Sequence, residues 1–270
     1  MLAYIHWNIA PEAFTVFGIP VRYYGLLFVG GFIAAFQFLE WLYKREKIPY
    51  EKLSKLATYA IIGSFAGARL GHCLFYEPDY FLYHPLEMIL PIGYDENGKM
   101  IFQAYTGLAS HGGAFGILLA LLVYKWRTKE DLLPLLDRIL IATPLACGFI
   151  RMANFFNSEI IGYPTDVPWA IVFEQVDMKP RHPAQLYEAI FYFSLFVVMF
   201  LLYKRNGLSL KPAGFYFAWC IIALFTFRFF VEFIKERQVG FEENLPIDMG
   251  QILSIPFVVL GIWILVKGKK

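Results

Sequence analysis

The chain alternates between long apolar runs and shorter polar connections. Seven apolar runs have the length of membrane spans, because a helix of about 20 apolar residues crosses the hydrocarbon core of a bilayer. The runs cover residues 22–43, 56–76, 104–126, 138–157, 187–203, 213–234 and 249–267. The pattern predicts an all-α integral membrane bundle of about seven transmembrane helices.

The polar segments predict small elements outside the membrane. Residues 1–21 are interrupted by prolines and are expected to form an interfacial arm. Two longer connections, 77–103 and 158–186, are expected on the extracytoplasmic side. In the first of them, "DENG" separates "PIGY" from "KMIFQ", a pattern typical of a β-hairpin. We therefore predict a single integral membrane domain over residues 1–270, with these segments as its extramembrane parts.

Composition agrees with a membrane protein. Hydrophobic residues make up 58% of the chain, and the mean hydropathy is +0.51, values far from those of a soluble domain of 270 residues. Cys73, Cys147 and Cys220 lie in separate apolar segments without paired spacing, so neither a disulfide framework nor a metal site is expected.

The placement of basic residues predicts the orientation. Fifteen of the 24 Lys and Arg residues lie in the first, third and fifth connections and in the tail, whereas six lie on the opposite side. The positive-inside rule then places the N-terminus outside and the C-terminus in the cytoplasm. The remaining three basic residues, Arg69, Arg151 and Arg228, fall within predicted spans.

Charged groups inside spans mark candidate functional positions. Each costs about 2.5–3.5 kcal/mol on insertion scales, so such groups usually face a cavity or a partner within the bundle. With the predicted orientation, all three arginines lie towards the outer ends of their spans. Tyr24 and His111 lie near the outer beginnings of two others. We expect these five groups to share one depth.

Helical spacing adds polar partners to two of the arginines. Arg151 and Asn154 are three residues apart, and Arg228 and Glu232 are four apart, so each pair shares a helix face. A structural ion pair explains a single arginine in a span equally well, but three at one depth favour a binding site. Guanidinium groups bind phosphate in bidentate fashion. Phosphates at this depth belong to lipid headgroups, and a phospholipid is the predicted ligand.

The stretch "TGLASHGGAFG" places His111 before two glycines at the head of an apolar run. Gly112 and Gly113 would let a headgroup or another helix approach the backbone closely, and helix packing alone also explains such a pair. An imidazole titrates at about 6.5 when unperturbed. His111 is therefore a candidate base or orienting donor beside the phosphate.

Seven collinear stretches give the chain a family resemblance along nearly its whole length. They are "VRYYGLLF", "GARLGHCLFYEPDYFLYHPLEM", "GLASHGG", "IRMANFFNSEIIGYPTDVPWAIVF", "RHPAQLYEA", "RFFVEFIKE" and "MGQILSIP". In these stretches the chain resembles the bacterial prolipoprotein diacylglyceryl transferases. The resemblance implies transfer of the diacylglyceryl group of phosphatidylglycerol to the lipobox cysteine thiol of a prolipoprotein, with release of glycerol phosphate, as the first step of lipoprotein maturation.

The resemblance also implies a setting and partners. The protein would be a multi-pass protein of the bacterial cytoplasmic (inner) membrane, with its active site towards the extracytoplasmic face. Its partners would be phosphatidylglycerol, the prolipoprotein signal peptide and membrane lipids, and no nucleic acid. No cofactor or metal is expected, since phosphatidylglycerol is a co-substrate.

Roles follow residue by residue from the same resemblance. Arg151 and Arg228 would hold the phosphate, Tyr24 would line the pocket, and His111 would act as base or positioning group. These four form the predicted catalytic set. The predicted substrate-binding set is Arg69, Asn154, Asn157, Glu159, Gly162, Glu232, Gly112 and Gly113.

The chain departs from the family pattern at four places. Thr106 stands where many members have the first glycine of a pair, Ser110 replaces an aromatic residue, and Ile150 and Ser158 each replace a glycine. These changes affect packing and remove no charged group.

Other interpretations stay open at this point. A transporter or channel for an anionic solute could also use intramembrane arginines. Another transferase that uses a phospholipid would likewise bind its phosphate with arginines. Gln185, Tyr187 and Glu188 could cap a helix or form part of the pocket wall. The arginines could lower the thiol pKa without a base.

Overall fold

The computed structural model describes residues 4–94, 99–102, 107–237 and 247–268. In these ranges the chain is mostly helical. The helices are α1 (Tyr23–Arg45), α2 (Tyr50–Phe75), α3 (Pro78–Phe81), α4 (Pro85–Ile89), α5 (Ser110–Thr128), α6 (Leu132–Phe156), α7 (Ala184–Asn206), α8 (Phe215–Val231) and α9 (Met249–Lys267), and a 3₁₀ turn, Glu232–Ile234, follows α8. The strands are β1 (Ile5–Trp7), β2 (Glu12–Val16), β3 (Ile19–Arg22), β4 (Ile92–Tyr94), β5 (Met100–Phe102), β6 (Ile171–Phe173) and β7 (Pro180–Arg181). The all-α description leaves out these short strands.

Each of the seven apolar runs coincides with a long helix. Among the described residues, five helices are long and apolar enough to cross a membrane, namely α1, α6, α7, α8 with its 3₁₀ turn, and α9. The protein is therefore an integral membrane protein. That α2 and α5 also cross the membrane, which would complete the seven spans, stays a prediction.

Two helix starts differ from the predicted spans. The third run was expected to begin at residue 104, but α5 begins at Ser110, because Gly107 adopts a left-handed φ of +79° just before it. Residues 104–106 of that run lie outside the described ranges. Helix α2 begins at Tyr50, earlier than predicted, since its first turns, "YEKLSK", are helical but polar. Hydropathy locates the apolar part of a helix and not its polar ends.

The contacts divide the chain into two compact units. The first unit comprises Met1–Leu42 and Leu133–Lys270, and the second comprises Tyr43–Leu132.

In the first unit, a three-stranded sheet ties the N-terminal arm to the segment after α6. Strand β6 is central, pairing in parallel with β1 (Ile5 opposite Ile171) and antiparallel with β7 (Ile171 opposite Arg181). Phe155 at the end of α6 packs against Phe173 of β6 in a buried cluster. The sheet thereby holds in place the segment that follows α6.

In the second unit, α2 and α5 pack through small residues. A methyl group on Gly67 would overlap the carbonyl oxygen of Gly112, and one on Gly116 would overlap that of Gly63. Glycines four residues apart on each helix thus let the two backbones touch. The predicted hairpin is confirmed, since β4 pairs antiparallel with β5, while its turn, residues 95–98, lies outside the described ranges.

Candidate active site

Arg151 lies near the end of α6, and its side chain is only 13% exposed. Its Nε is 3.1 Å from Oε2 of Glu188 on α7, and its Nη1 donates a 3.1 Å hydrogen bond to Oδ1 of Asn154. The predicted sharing of a helix face by Arg151 and Asn154 is confirmed. Two partners on different sides fix the orientation of the guanidinium.

Glu188 is the buried carboxylate of this site, with 0% of its side chain exposed. Its Oε1 accepts a 3.4 Å hydrogen bond from the hydroxyl of Tyr192 and lies 3.9 Å from Nζ of Lys235. A buried charge is costly unless it is paired and hydrogen-bonded. Glu188 therefore depends on the two cations beside it.

Lys235 connects Glu188 to the end of α8. Its Nζ lies 2.9 Å from Oε1 of Glu232, and the same oxygen is 3.6 Å from Nη2 of Arg228. Cations and carboxylates thus alternate along one series, which we name the ion-pair chain. Its members, in order, are Arg151, Glu188, Lys235, Glu232 and Arg228.

The two predicted phosphate-binding arginines are the ends of the ion-pair chain. Arg228 is also its most exposed member, with 33% of its side chain accessible. A guanidinium carries several N–H donors in a fixed fork. Within the described ranges the ion pair of Arg228 with Glu232 is long, at 3.6 Å, so Arg228 is able to bind an anion.

A polar loop follows α6 and carries two further predicted residues. Oε2 of Glu159 accepts a 3.2 Å hydrogen bond from Asn154, and its Oε1 accepts one of 3.0 Å from Asn157. Ser158 and Ile160 on either side have left-handed backbones, with φ of 55° and 58°. Such conformations cost about 1–3 kcal/mol each in non-glycine residues and are concentrated at functional sites.

Gly162 joins this loop to Lys235. Its amide donates a 2.9 Å hydrogen bond to the carbonyl of His182, and it forms a β-bridge with Lys235. A methyl group at Gly162 would collide with His182 and with the carbonyl oxygen of Ile234. Gly162 is therefore required for the backbone packing that holds Lys235.

Tyr24 lies in the first turn of α1 and belongs to the same region. It is close enough to Glu159 and Arg151 to interact electrostatically with both. The first unit thus gathers most of the predicted site, namely Tyr24, Arg151, Asn154, Asn157, Glu159, Gly162, Arg228 and Glu232.

Arg181 anchors the loop from outside the predicted spans. Its Nη1 donates 3.1 Å hydrogen bonds to the carbonyl of Gly162 and to Glu236, and its Nη2 lies 2.6 Å from Oδ2 of Asp177. The hydrogen bond from Arg181 holds the pKa of the Asp177 carboxyl below its usual value. Burial lowers the pKa of the neighbouring His182.

Arg69 belongs to the second unit and is buried there. Its Nη2 donates a 2.6 Å hydrogen bond to the carbonyl of Glu87, and its guanidinium stacks 4.7 Å from the ring of Phe81. These contacts hold the α3–α4 segment against α2 and account for the burial of the charge. The predicted substrate contact of Arg69 stays a prediction.

The remaining three predicted residues lie in the first turn of α5. His111 is exposed. Gly112 packs against the backbones of Gly67 and Gly71, so helix packing accounts for this glycine. A methyl group at Gly113 would make ordinary contacts with Ser64 and Ala68. The roles of His111, Gly112 and Gly113 towards a substrate stay predictions.

Sequence reasoning missed Lys235 and left Glu188 undecided. Glu188 is the one acidic residue in the apolar run 187–203, so the argument that singled out the arginines applies to it as well. Lys235 follows directly after the apolar run 213–234, and the 3₁₀ turn after α8 brings its ammonium group to Glu232.

Comparisons with known proteins give one consistent result. The family model described as prolipoprotein diacylglyceryl transferase matches residues 11–267. The phosphatidylglycerol–prolipoprotein diacylglyceryl transferase of Bacteroides fragilis is 52% identical over 271 residues, covering 100% of this chain and 98% of the relative. The proteins of the same name from Chloroherpeton thalassium and Tolumonas auensis are each 41% identical, covering 99% and 98% of this chain and 96% and 98% of their own lengths.

Proposed function

Since this chain belongs to the prolipoprotein diacylglyceryl transferase family, we infer that it transfers the diacylglyceryl group of phosphatidylglycerol to prolipoproteins. The relatives that carry this activity in their names align along the whole chain. A transporter for an anionic solute is not favoured by these comparisons.

The acceptor in this proposal is the thiol of the lipobox cysteine, and the product is a thioether. The enzyme lies in the bacterial inner membrane with its active site towards the extracytoplasmic face. The excess of basic residues on the other side supports this orientation. A precursor anchored by its signal helix would present its cysteine at the outer boundary of the membrane, the depth predicted for the polar residues.

One observation carries the proposed phosphate site: Arg151 and Arg228 terminate the same ion-pair chain. Lys235 and the two carboxylates between them pair with the guanidiniums and orient them before a lipid binds. A site that is organised in advance does not reorganise during the reaction, which is the main source of electrostatic catalysis. Asn154 and Glu159 would orient Arg151 on its other side.

The proposed reaction is a single displacement at carbon. The thiolate sulfur attacks the glycerol carbon that bears the phosphate, a C–S bond forms, and the C–O bond to the phosphate breaks. The electron pair of that bond goes to the leaving glycerol phosphate, whose phosphate changes from a diester to a monoester. The additional negative charge develops on the oxygen that Arg151 and Arg228 would bind.

The thiol must lose its proton before attack, because the thiolate is the nucleophile. We assign this proton to His111 as the proposed base, and the positive field of the arginines is the alternative. The exposed position of His111 in the first turn of α5 would allow contact with a substrate. No cofactor or metal takes part in the proposed reaction, and no nucleic acid is a partner.

The decisive experiment combines purified protein, phosphatidylglycerol vesicles and a lipobox peptide. Mass spectrometry should detect the diacylglyceryl thioether of the peptide and an equal amount of glycerol phosphate, with or without a chelator. A peptide with serine in place of the cysteine is the matched control. Solute flux through the protein in liposomes without consumption of lipid would instead support the transporter.

A further inference from the structure

A buried carboxylate joins the beginnings of α6 and α8. Asp137, in the early turns of α6, is 4% exposed. Its Oδ2 accepts a 2.7 Å hydrogen bond from the amide of Gly214, and its Oδ1 accepts one of 2.7 Å from the amide of Phe217. Amides at the start of a helix have no partner within that helix. Asp137 thus caps α8 from a neighbouring helix, and we name this contact the Asp137 clamp.

The backbone of α8 is adapted to this contact. Gly214 has a left-handed φ of +89°, which ends the preceding turn so that the first amides of α8 point towards α6. A methyl group at Gly214 would lie 3.2 Å from the side chain of Leu133 at the start of α6. The beginnings of the two helices are therefore in close contact as well as hydrogen-bonded.

The sequence intervals from Asp137 to Arg151 and from Gly214 to Arg228 are equal. Arg151 follows Asp137 by fourteen residues along α6, and Arg228 follows Gly214 by fourteen along α8. At the rise of an α-helix, each interval spans about 21 Å. Both helices run from the clamp towards the ion-pair chain. Equal intervals from a common starting point bring the two guanidiniums to the same height.

We propose that Asp137 is a positioning residue that sets the height of α8 relative to α6, and with it the relative positions of Arg151 and Arg228. The inference rests on the proposed function, in which these arginines bind one phosphate. Asp137 itself touches neither lipid nor peptide.

The clamp is better suited to this role than the ion-pair chain. The ion-pair chain connects α6 to α8 through long side chains, with contacts of 3.9 Å at Lys235 and 3.6 Å at Arg228. Such side chains can follow a helix that slides. The clamp holds the backbone amides of α8 directly, and hydrogen bonds that involve a charged group are about twice as strong as neutral ones.

The first test measures kcat and KM in Asp137→Asn and Asp137→Ala. Asparagine fills the same volume but turns an NH₂ group towards one of the two amides. A displacement of about 1 Å can reduce turnover about 100-fold, so we expect kcat to fall by about 10- to 100-fold, with KM for the lipobox peptide nearly unchanged. An unchanged kcat in both variants would overturn the proposal.

A matched control separates positioning from general stability. The hydroxyl of Tyr216, also in the first turn of α8, donates a 2.6 Å hydrogen bond to the carbonyl of Gly207. Tyr216→Phe removes a buried hydrogen bond at the same end of the helix and leaves the clamp intact. We expect it to lower the melting temperature and to preserve kcat. An equal loss of kcat at equal loss of melting temperature would show that Asp137 acts through stability alone.

A double-mutant cycle tests whether Asp137 acts through an arginine. In an Arg228→Lys background the guanidinium that would bind the phosphate is already lost. Asp137→Asn should then reduce the remaining kcat by less than about threefold, as expected for coupled residues. If the two losses multiply in full, Asp137 and Arg228 act independently and the proposal is wrong.

A distance measurement tests the clamp without any activity. Spin labels replacing Met152 on α6 and Phe230 on α8, in a background with the three native cysteines replaced by alanine, report the relative height of the two helix ends. Asp137→Asn should shift or broaden this distance by about 1.5 Å, the rise of one residue. An unchanged distance would refute the clamp, whereas a shifted distance in a protein that makes no thioether would refute the proposed function alone.

Discussion

The guanidinium of Arg151 faces the fully buried carboxylate of Glu188 across a distance of 3.1 Å. This pair joins α6 to α7 and begins the ion-pair chain that ends at Arg228. In the ion-pair chain, charged side chains from α6, from α7 and from the end of α8 depend on one another. Removal of a single member therefore affects them all.

Removal of the Glu188 carboxylate should be among the most harmful single changes. Glu188→Ala leaves Arg151 and Lys235 without their shared partner, and breaking a buried pair in this way typically costs about 3–5 kcal/mol. We expect loss of transferase activity and a lower melting temperature in detergent. Tyr192→Phe, which removes the hydroxyl that donates the 3.4 Å hydrogen bond to Glu188 but removes no carboxylate, is the control and should be mild.

Replacement of Arg228 by lysine should impair catalysis while the fold survives. Lysine keeps the charge and loses the planar fork that binds phosphate in bidentate fashion. We expect kcat/KM for phosphatidylglycerol to fall by about 10-fold or more, comparable to the loss of about 1.4 kcal/mol of transition-state stabilisation. Arg237→Lys, at a partly exposed arginine paired with Asp248 at 2.8 Å, is the control. Equal effects of the two substitutions would argue against a phosphate contact at Arg228.

The role of His111 is tested by its pH profile. If His111 is the base, His111→Gln should lower turnover by about 100-fold or more, the usual contribution of a general base. The acidic limb of the profile of kcat/KM should disappear with it. Near-normal turnover in His111→Gln would assign thiolate formation to the arginines.

Relief of backbone strain should stabilise the loop after α6. Ser158 has a left-handed φ of 55°, and its buried hydroxyl has no hydrogen-bond partner within the described residues. Since glycine adopts this conformation without steric cost, Ser158→Gly should raise the free energy of unfolding by up to about 1 kcal/mol. Ser158→Ala removes the unpaired hydroxyl without relieving the strain, so it isolates the contribution of the hydroxyl. A higher melting temperature in the glycine variant than in the alanine variant would confirm the strain.

Acid should weaken the anchor of the same loop. Arg181 holds the pKa of Asp177 below its usual value, so this carboxyl stays ionised to a lower pH in the folded chain than in the unfolded chain. The resulting stabilisation is complete above the unfolded pKa and is lost as the pH falls through the folded one. The melting temperature should therefore decline below about pH 4, the range of an ordinary Asp. Asp177→Asn should flatten this decline, and Asp166→Asn, an exposed control, should leave it unchanged.

The sequence predicted the long helices and the gathering of Arg151 and Arg228 with Asn154 and Glu232. Apolar length and helical spacing are local properties, and charges inside apolar runs are costly enough to stand out. The partner of a buried arginine could not be predicted, because a carboxylate and a backbone carbonyl both satisfy a guanidinium. Arg69 donates to the carbonyl of Glu87, whereas Arg151 pairs with Glu188.

Pairings between segments that are distant in the sequence could not be predicted from local sequence patterns either. Nothing in "IHW" indicates that β1 joins β6, which follows it by more than 160 residues. The Asp137 clamp has the same character, because the amides of α8 that it binds carry no side-chain signature. Helix capping is recognised in a sequence when the capping residue directly precedes its helix, and Asp137 lies on another helix.

The pairing of β1 with β6 has a consequence for biosynthesis. The ribosome makes residues 5–7 before residues 171–173, and α1, α2, α5 and α6 are made between these two segments. Strand β6 is therefore made long after β1, and β1 lacks its partner strand while the intervening helices insert. Closure of this sheet therefore follows synthesis of α6, which links maturation of the loop beside Glu159 to insertion of the helices made before it.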